Sequence, residues 1–169
     1  MMQDQELQPL LAAVRQGDWD AFETVYRAMS PPLFTVLFRI VGDRAAAEDL
    51  LQELFLRIYQ APPDTARRPR AYLFASARHL ALDALRRRGA DAPLEGVEAA
   101  CEMDLEGRMD VERALAALPE VERQIVTLHL NAGLKFREAA AVLEMPLGTV
   151  LWRYRKAVER LRLQLEGDT

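Results

Sequence analysis

Asp49 and Glu53 stand four residues apart, so on a helix their carboxylates share one face, the spacing of a metal pair or a general acid/base pair. Either chemistry needs another partner, and no histidine or third acid is placed to complete the set. Gln52 and Arg57 fall on the same face, with Leu56 in its middle. A charged rim around an outward leucine reads as a docking surface for a basic protein partner. A second set is built from cations and rings: Arg67, Arg68 and Arg70, then Tyr72, Arg78, His79 and Arg86. Arginines interleaved with an aromatic and an imidazole suit a face that stacks on exposed bases and holds phosphates. A third set, Thr149, Trp152, Arg153, Lys156 and Arg160, occupies one arc of a helix that opens at Pro146. Arg153 and Lys156 can donate to guanine O6 and N7 or to phosphate, and Thr149 reaches either. Trp152 has three uses open to it: contact with thymine methyls or sugars, docking of a protein, or packing sideways onto the preceding helix. His79 taken alone is an ordinary surface histidine, and His129 carries no assignment. There is no glycine-rich phosphate loop, metal-ligand cluster or nucleophile–base pair, so these residues speak for binding: no catalytic residue, metal or cofactor is expected.

The elements that must carry these faces are all helical. Ala, Leu, Glu and Arg dominate the 169 residues, and half of the chain is apolar. Leu7, Leu10, Leu11 and Val14 form a first stripe stopped by Gly17. Asp18 caps a second helix bearing Phe22, Val25 and Tyr26, which Pro31 and Pro32 are expected to end while opening a third over 33–41. Asp43 caps the helix of the acidic set, with Leu50, Leu51, Leu54, Phe55 and Ile58 inward. A loop over 61–68 precedes a long helix over 69–88 whose inward arc is Leu73, Phe74, Ala77, Leu80, Ala81, Ala84 and Leu85. Helices follow over 109–118, 119–131, 136–143 and 146–165. The last two, joined by a short turn, make a helix-turn-helix whose second member turns Val150, Tyr154, Ala157, Val158, Leu161 and Leu165 inward.

Charge is sorted along the chain. Seven arginines lie between Arg67 and Arg88 against Asp83 alone, eight acids between Asp91 and Glu112 against Arg108, and seven bases against three acids between Lys135 and Arg162. Two basic blocks parted by an acidic one suggest two polyanion sites held apart by a segment that repels their ligand. The chain therefore divides into a unit over 1–88, an acidic linker over 89–106 that includes the lone Cys101, and a unit over 107–169. One cysteine excludes an internal disulfide or a zinc site of several thiolates. No apolar run reaches the ~20 residues of a membrane span, and the acidic N-terminus is unlike a signal peptide, so a cytoplasmic location is expected.

With these residues in view, the chain resembles an extracytoplasmic-function (ECF) sigma factor of bacterial RNA polymerase, in the sigma-70 family. The run Ala47-Glu48-Asp49-Leu50-Leu51-Gln52-Glu53-Leu54-Phe55-Leu56-Arg57 resembles the region-two helix that grips the polymerase clamp. Arg70-Ala71-Tyr72-Leu73-Phe74, continuing through Ala77-Arg78-His79 to Arg86-Arg87-Arg88, resembles the helix that opens promoter DNA. Ala116-Ala117-Leu118-Pro119-Glu120, the stretch from Gly133 to Leu143, and Pro146-Leu147-Gly148-Thr149-Val150 resemble region four. The resemblance implies an all-α protein of two small helical domains that is not an enzyme. Asp49, Gln52, Glu53 and Leu56 would bind core RNA polymerase. Arg67, Arg68, Arg70, Tyr72, Arg78, His79 and Arg86 would melt and hold the −10 element. Thr149, Trp152, Arg153 and Lys156 would read the −35 element, with Lys135, Arg137 and Arg160 on nearby phosphates. It also implies an anti-sigma factor as a further partner. The rival reading is a freestanding helix-turn-helix regulator, which would be a symmetric dimer binding duplex DNA unaided.

Overall fold

The computed structural model describes residues 2–64, 68–89 and 106–167; Arg67, Cys101 and nearly all of the acidic segment lie outside the described residues. These residues contain helices and no strand: α1 (Asp4–Arg15), α2 (Trp19–Val41), α3 (Arg44–Gln60), α4 (Pro69–Arg88), α5 (Glu106–Ala116), α6 (Glu120–Val126), α7 (Phe136–Leu143) and α8 (Leu147–Gly167). A π-helical turn, Thr127–Asn131, prolongs α6.

Local chemistry sets the boundaries. Asp18 Oδ1 accepts from the Ala21 amide at 3.0 Å and Asp43 Oδ1 from the Ala46 amide at 2.7 Å, satisfying donors that the first turns of α2 and α3 leave open. Gly42 ends α2 at φ 70°, a left-handed conformation that glycine adopts without a Cβ clash. The expected break at Pro31-Pro32 does not occur, because α2 runs unbroken through both prolines. Its buried face, Val25, Met29, Leu33, Val36, Leu37 and Ile40, is continuous across them. Two prolines delete two neighbouring hydrogen bonds, and the carbonyls they release, on Arg27 and Ala28, lie on or beside the solvent side. Packing of the apolar face outweighs the lost bonds.

In the first half, α2 packs against α1, α3 and α4. The inward arcs of α3 and α4 are those the periodicity predicts: Leu50, Leu51, Leu54, Phe55 and Ile58 are buried, as are Leu73, Phe74, Ala77, Leu80 and Ala81. In the second half α8 packs on α5, α6 and α7, with Leu115, Leu118, Val126 and Ala157 as a small core. His129 knits this half together: Nδ1 donates to the Leu134 carbonyl at 2.8 Å, and the ring lies 4.0 Å from Phe136 and 5.3 Å, edge-on, from Tyr154. On α8, Val150 and Ala157 are buried as expected, but Val158 and Leu165 are 44% and 41% exposed. The neighbouring helices cover only part of the apolar arc.

The two halves share one interior. Residues of α1 to α4 and Ile125, Leu128, Ala132, Leu134, Ala139, Ala140, Val142 and Leu143 belong to a single buried cluster. The seam lies where α4 meets α7, and where α2 meets α6 and the π-helical turn.

Candidate functional site

The acidic face of α3 is presented as the sequence arranges it. Asp49 and Gln52 are exposed, Glu53 is half-buried beside Arg57, with which it pairs, and Leu56 is 55% exposed between them. Among the described residues no group of histidine, cysteine and acid side chains could hold a metal. An aromatic ridge that sequence reasoning missed adjoins this face. Tyr59, one turn beyond Leu56, meets Trp19 at 5.7 Å and Phe22 at 5.2 Å, and Tyr26 meets Phe55 at 4.7 Å. Trp19, Tyr26 and Tyr59 stay 58%, 41% and 46% exposed, so apolar surface continues from Leu56 across α2. The available signal was the spacing of Trp19, Phe22 and Tyr26 on one side of α2.

The basic face of α4 is divided. Arg68, Tyr72 and Arg86 are exposed, with Arg86 3.2 Å from Asp83. Arg70 corrects the sequence reading: it is 3% exposed, its amide donates to Asp4 Oδ1 at 2.9 Å, and its Nη2 donates to the buried Ala132 carbonyl at 2.6 Å. The arginine is drawn inward because acceptors from α1 and from the end of the π-helical turn converge on it; in this arrangement it ties elements together and offers nothing to DNA. Arg78 is half-buried, its Nε donating to Gln124 Oε1 at 3.0 Å, and His79 Nε2 lies 3.0 Å from Glu144 Oε1. Both partners belong to the second half.

The third set sits on a helix-turn-helix. The Lys135 amide donates to Glu138 Oε2 at 2.6 Å, fixing the start of α7, and Glu144 turns the chain at φ 55° before α8. Along α8, Trp152 is 56% exposed and Lys156 is exposed, 3.0 Å from Glu159; Thr149 and Arg153 are half-buried. The Arg153 guanidinium lies 5.9 Å from the centre of the indole ring, and its Nε is buried without a hydrogen-bond partner. More than half of Trp152 is thus left to solvent. Lys135 and Arg137 are exposed at the start of α7. Arg160 pairs with Glu122, which is 3% exposed, while its own side chain stays 49% accessible.

One residue that no sequence argument singled out joins the halves most directly. Arg39 of α2, its side chain 11% accessible, donates from Nη1 to Thr127 Oγ1 at 2.9 Å and Asn131 Oδ1 at 2.7 Å, and from Nη2 to Glu112 Oε1 at 2.8 Å. Its signal was a lone cation within the apolar stretch 33–41.

Comparison with known proteins adds lineage to this geometry. Residues 25–90 match the family model Sigma-70 region 2, and residues 108–161 match Sigma-70, region 4. The chain is 27% identical to the ECF RNA polymerase sigma factor SigW of Bacillus subtilis, over 90% of this chain and 92% of that one. It is 31% identical to the ECF RNA polymerase sigma factor SigL of Mycobacterium tuberculosis, over 84% of this chain and 87% of the relative. Two solved structures share the fold. CnrH, in complex with the cytosolic domain of CnrY, has a TM-score of 0.71 at 22% identity, covering 95% of this chain and 97% of the other. The sigma factor RpoE of Bartonella quintana, in complex with the anti-sigma factor NepR, has a TM-score of 0.72 at 24% identity, covering 88% of this chain and 98% of the other.

Proposed function

The chain belongs to the extracytoplasmic-function sigma factors of the sigma-70 family, and on that premise we propose how its three faces divide the work. As a member it is a transcription initiation factor that directs RNA polymerase to promoters, and it is not an enzyme. Asp49, Gln52, Glu53 and Leu56 dock on core RNA polymerase. Arg68, Tyr72, Arg78, His79 and Arg86 melt the −10 element and hold the single strand. Thr149, Trp152, Arg153 and Lys156 read the −35 duplex, with Lys135, Arg137 and Arg160 on its backbone. These roles fall to units over 1–88 and 107–169, tethered by the acidic stretch 89–106. No helix among the described residues is long and apolar enough to cross a membrane, which fits work beside polymerase in the cytoplasm. The RpoE–NepR complex supports an anti-sigma factor as a further partner.

The observation that carries this reading is the outward Leu56 inside its ring of Asp49, Gln52 and Glu53, a large apolar side chain left 55% exposed amid a polar rim. The test is capture of core polymerase by full-length chains carrying Asp49→Ala, Glu53→Ala or Leu56→Ala. Truncating Leu56 removes roughly 1 kcal/mol of apolar burial at the interface, about a fivefold loss in affinity, with duplex binding untouched. Undiminished capture by all three variants refutes the reading. A dimer that binds duplex without polymerase would instead mark a freestanding regulator.

A further inference from the structure

The first two turns of α8 leave one large ring in water. Trp152 is 56% exposed, whereas Val150 is buried and Leu147 and Leu151 are half-buried. An indole carries much apolar area, and on this helix no element of the chain covers most of it. Around the ring the surface is cationic: Arg155 and Lys156 are exposed on α8, and Lys135 and Arg137 at the start of α7. A positive rim about an apolar ring complements a polyanion that also offers an apolar group.

The space beside the ring is open on one side and filled on the other. Side chains on a helix lean toward its N-terminus, so the indole leans over the turn that holds Gly148. Gly148 is exposed, and a Cβ built there meets nothing within 4 Å. No packing demand within the chain therefore forbids a side chain at this point, and a methyl group can enter. Thr149, half-buried next to it, adds a methyl of its own. On the other side stands Arg153, half-buried, its guanidinium 5.9 Å from the centre of the indole ring. Its Nε is buried without a partner, so only the Nη groups are left to bond outward. The cation–π contact holds the arginine alongside the ring, and the indole is the more exposed of the two.

Duplex DNA offers one group that fits this notch. Base edges in the major groove present donors and acceptors, and thymine alone adds an apolar C5 methyl. Against a G·C edge the indole would strip water from several polar atoms and return a single N–H donor. Against the methyl it buries apolar area on both sides.

We infer that Trp152 selects thymine in the −35 element, its indole packing on the C5 methyl between Gly148 and Arg153. The inference rests on the reading of α8 as the helix that enters the major groove, and it turns that reading into a base preference at one position.

The experiment uses holoenzyme assembled from core polymerase and full-length chains: wild type, Trp152→Ala and Lys156→Ala. Each holoenzyme first selects from duplexes randomised across the −35 element. Every thymine of the wild-type choice is then replaced singly by deoxyuridine, which removes the methyl and keeps every hydrogen-bonding group. Wild type should bind about fourfold more weakly at one such position, the worth of one buried methyl. Trp152→Ala should bind the thymine and deoxyuridine duplexes alike and lose the thymine preference at that position only. The wild-type arm needs no variant, so it stands whether or not Trp152→Ala folds. Indifference of wild type to every deoxyuridine overturns the inference, as does an undiminished penalty in Trp152→Ala. Weaker capture of core polymerase by Trp152→Ala, with its thymine preference intact, would make the ring a protein contact and overturn it too. In these cases an altered selection by Lys156→Ala keeps α8 as the reading helix. If both variants select the wild-type sequence, the reading of α8 fails and takes the inference with it.

Discussion

Arg70 separates what the sequence suggests from what the packing does. Alanine there removes the donor to the Ala132 carbonyl, which sits in a residue that is 0% exposed, along with the two stem methylenes beyond Cβ. A charge-assisted bond to a buried acceptor contributes about 1.5–3 kcal/mol. The methylenes add about 0.8 kcal/mol each, so roughly 1.5 kcal/mol in all. Part of this total is offset because the guanidinium no longer has to be stripped of water, leaving a net loss of about 2–4 kcal/mol. Urea unfolding followed by the fluorescence of Trp19 and Trp152 reads it directly. With a slope near 2 kcal/mol per molar for a chain of this size, the midpoint should fall by about 1–2 M. Arg70→Met keeps the apolar stem and should lose roughly half as much. Arg86→Ala, on an exposed side chain 3.2 Å from Asp83, should leave stability within about 0.5 kcal/mol while lowering promoter opening. An unchanged midpoint for Arg70→Ala together with lost promoter opening would refute the reasoning. Arg70 would then act on the nucleic acid, as the sequence pattern has it.

Two further outcomes follow from other elements. Pro31 is exposed inside α2, so Pro31→Ala restores one helical hydrogen bond; against about 1 kcal/mol of lost unfolded-state restriction the net gain is roughly 1–2 kcal/mol. The melting temperature should rise by several degrees, and a fall would mean that the proline shapes a bend the packing needs. Lys156→Ala should leave thermal stability nearly unchanged while altering the preferred −35 sequence, with about 1–3 kcal/mol lost at one base pair in a binding-site selection; an equal loss on every duplex would make Lys156 a phosphate contact.

Periodicity carried the sequence reading far because it acts locally. A 3.6-residue repeat states which side of a helix must leave water, whatever covers it. Leu50, Leu51, Leu54, Phe55 and Ile58 were therefore legible as core and Leu56 as outward, and the short turn before Pro146 was legible as the joint of a helix-turn-helix. Where the apolar face overruled a local signal, as at Pro31-Pro32, the sequence misled: a proline reports the bonds it cannot make and says nothing of the burial that outweighs them.

The sequence by itself determined an all-helical chain, its capped helix starts, its buried arcs and its three polar faces. Only the tertiary structure decided which arginines face water. A guanidinium on a flexible stem is at home on the surface, and equally so inside wherever acceptors converge. For Arg70 and Arg39 those acceptors come from 62 to 67 and 73 to 92 residues away along the chain. No window of sequence spans those separations; folding alone brings donor and acceptor together.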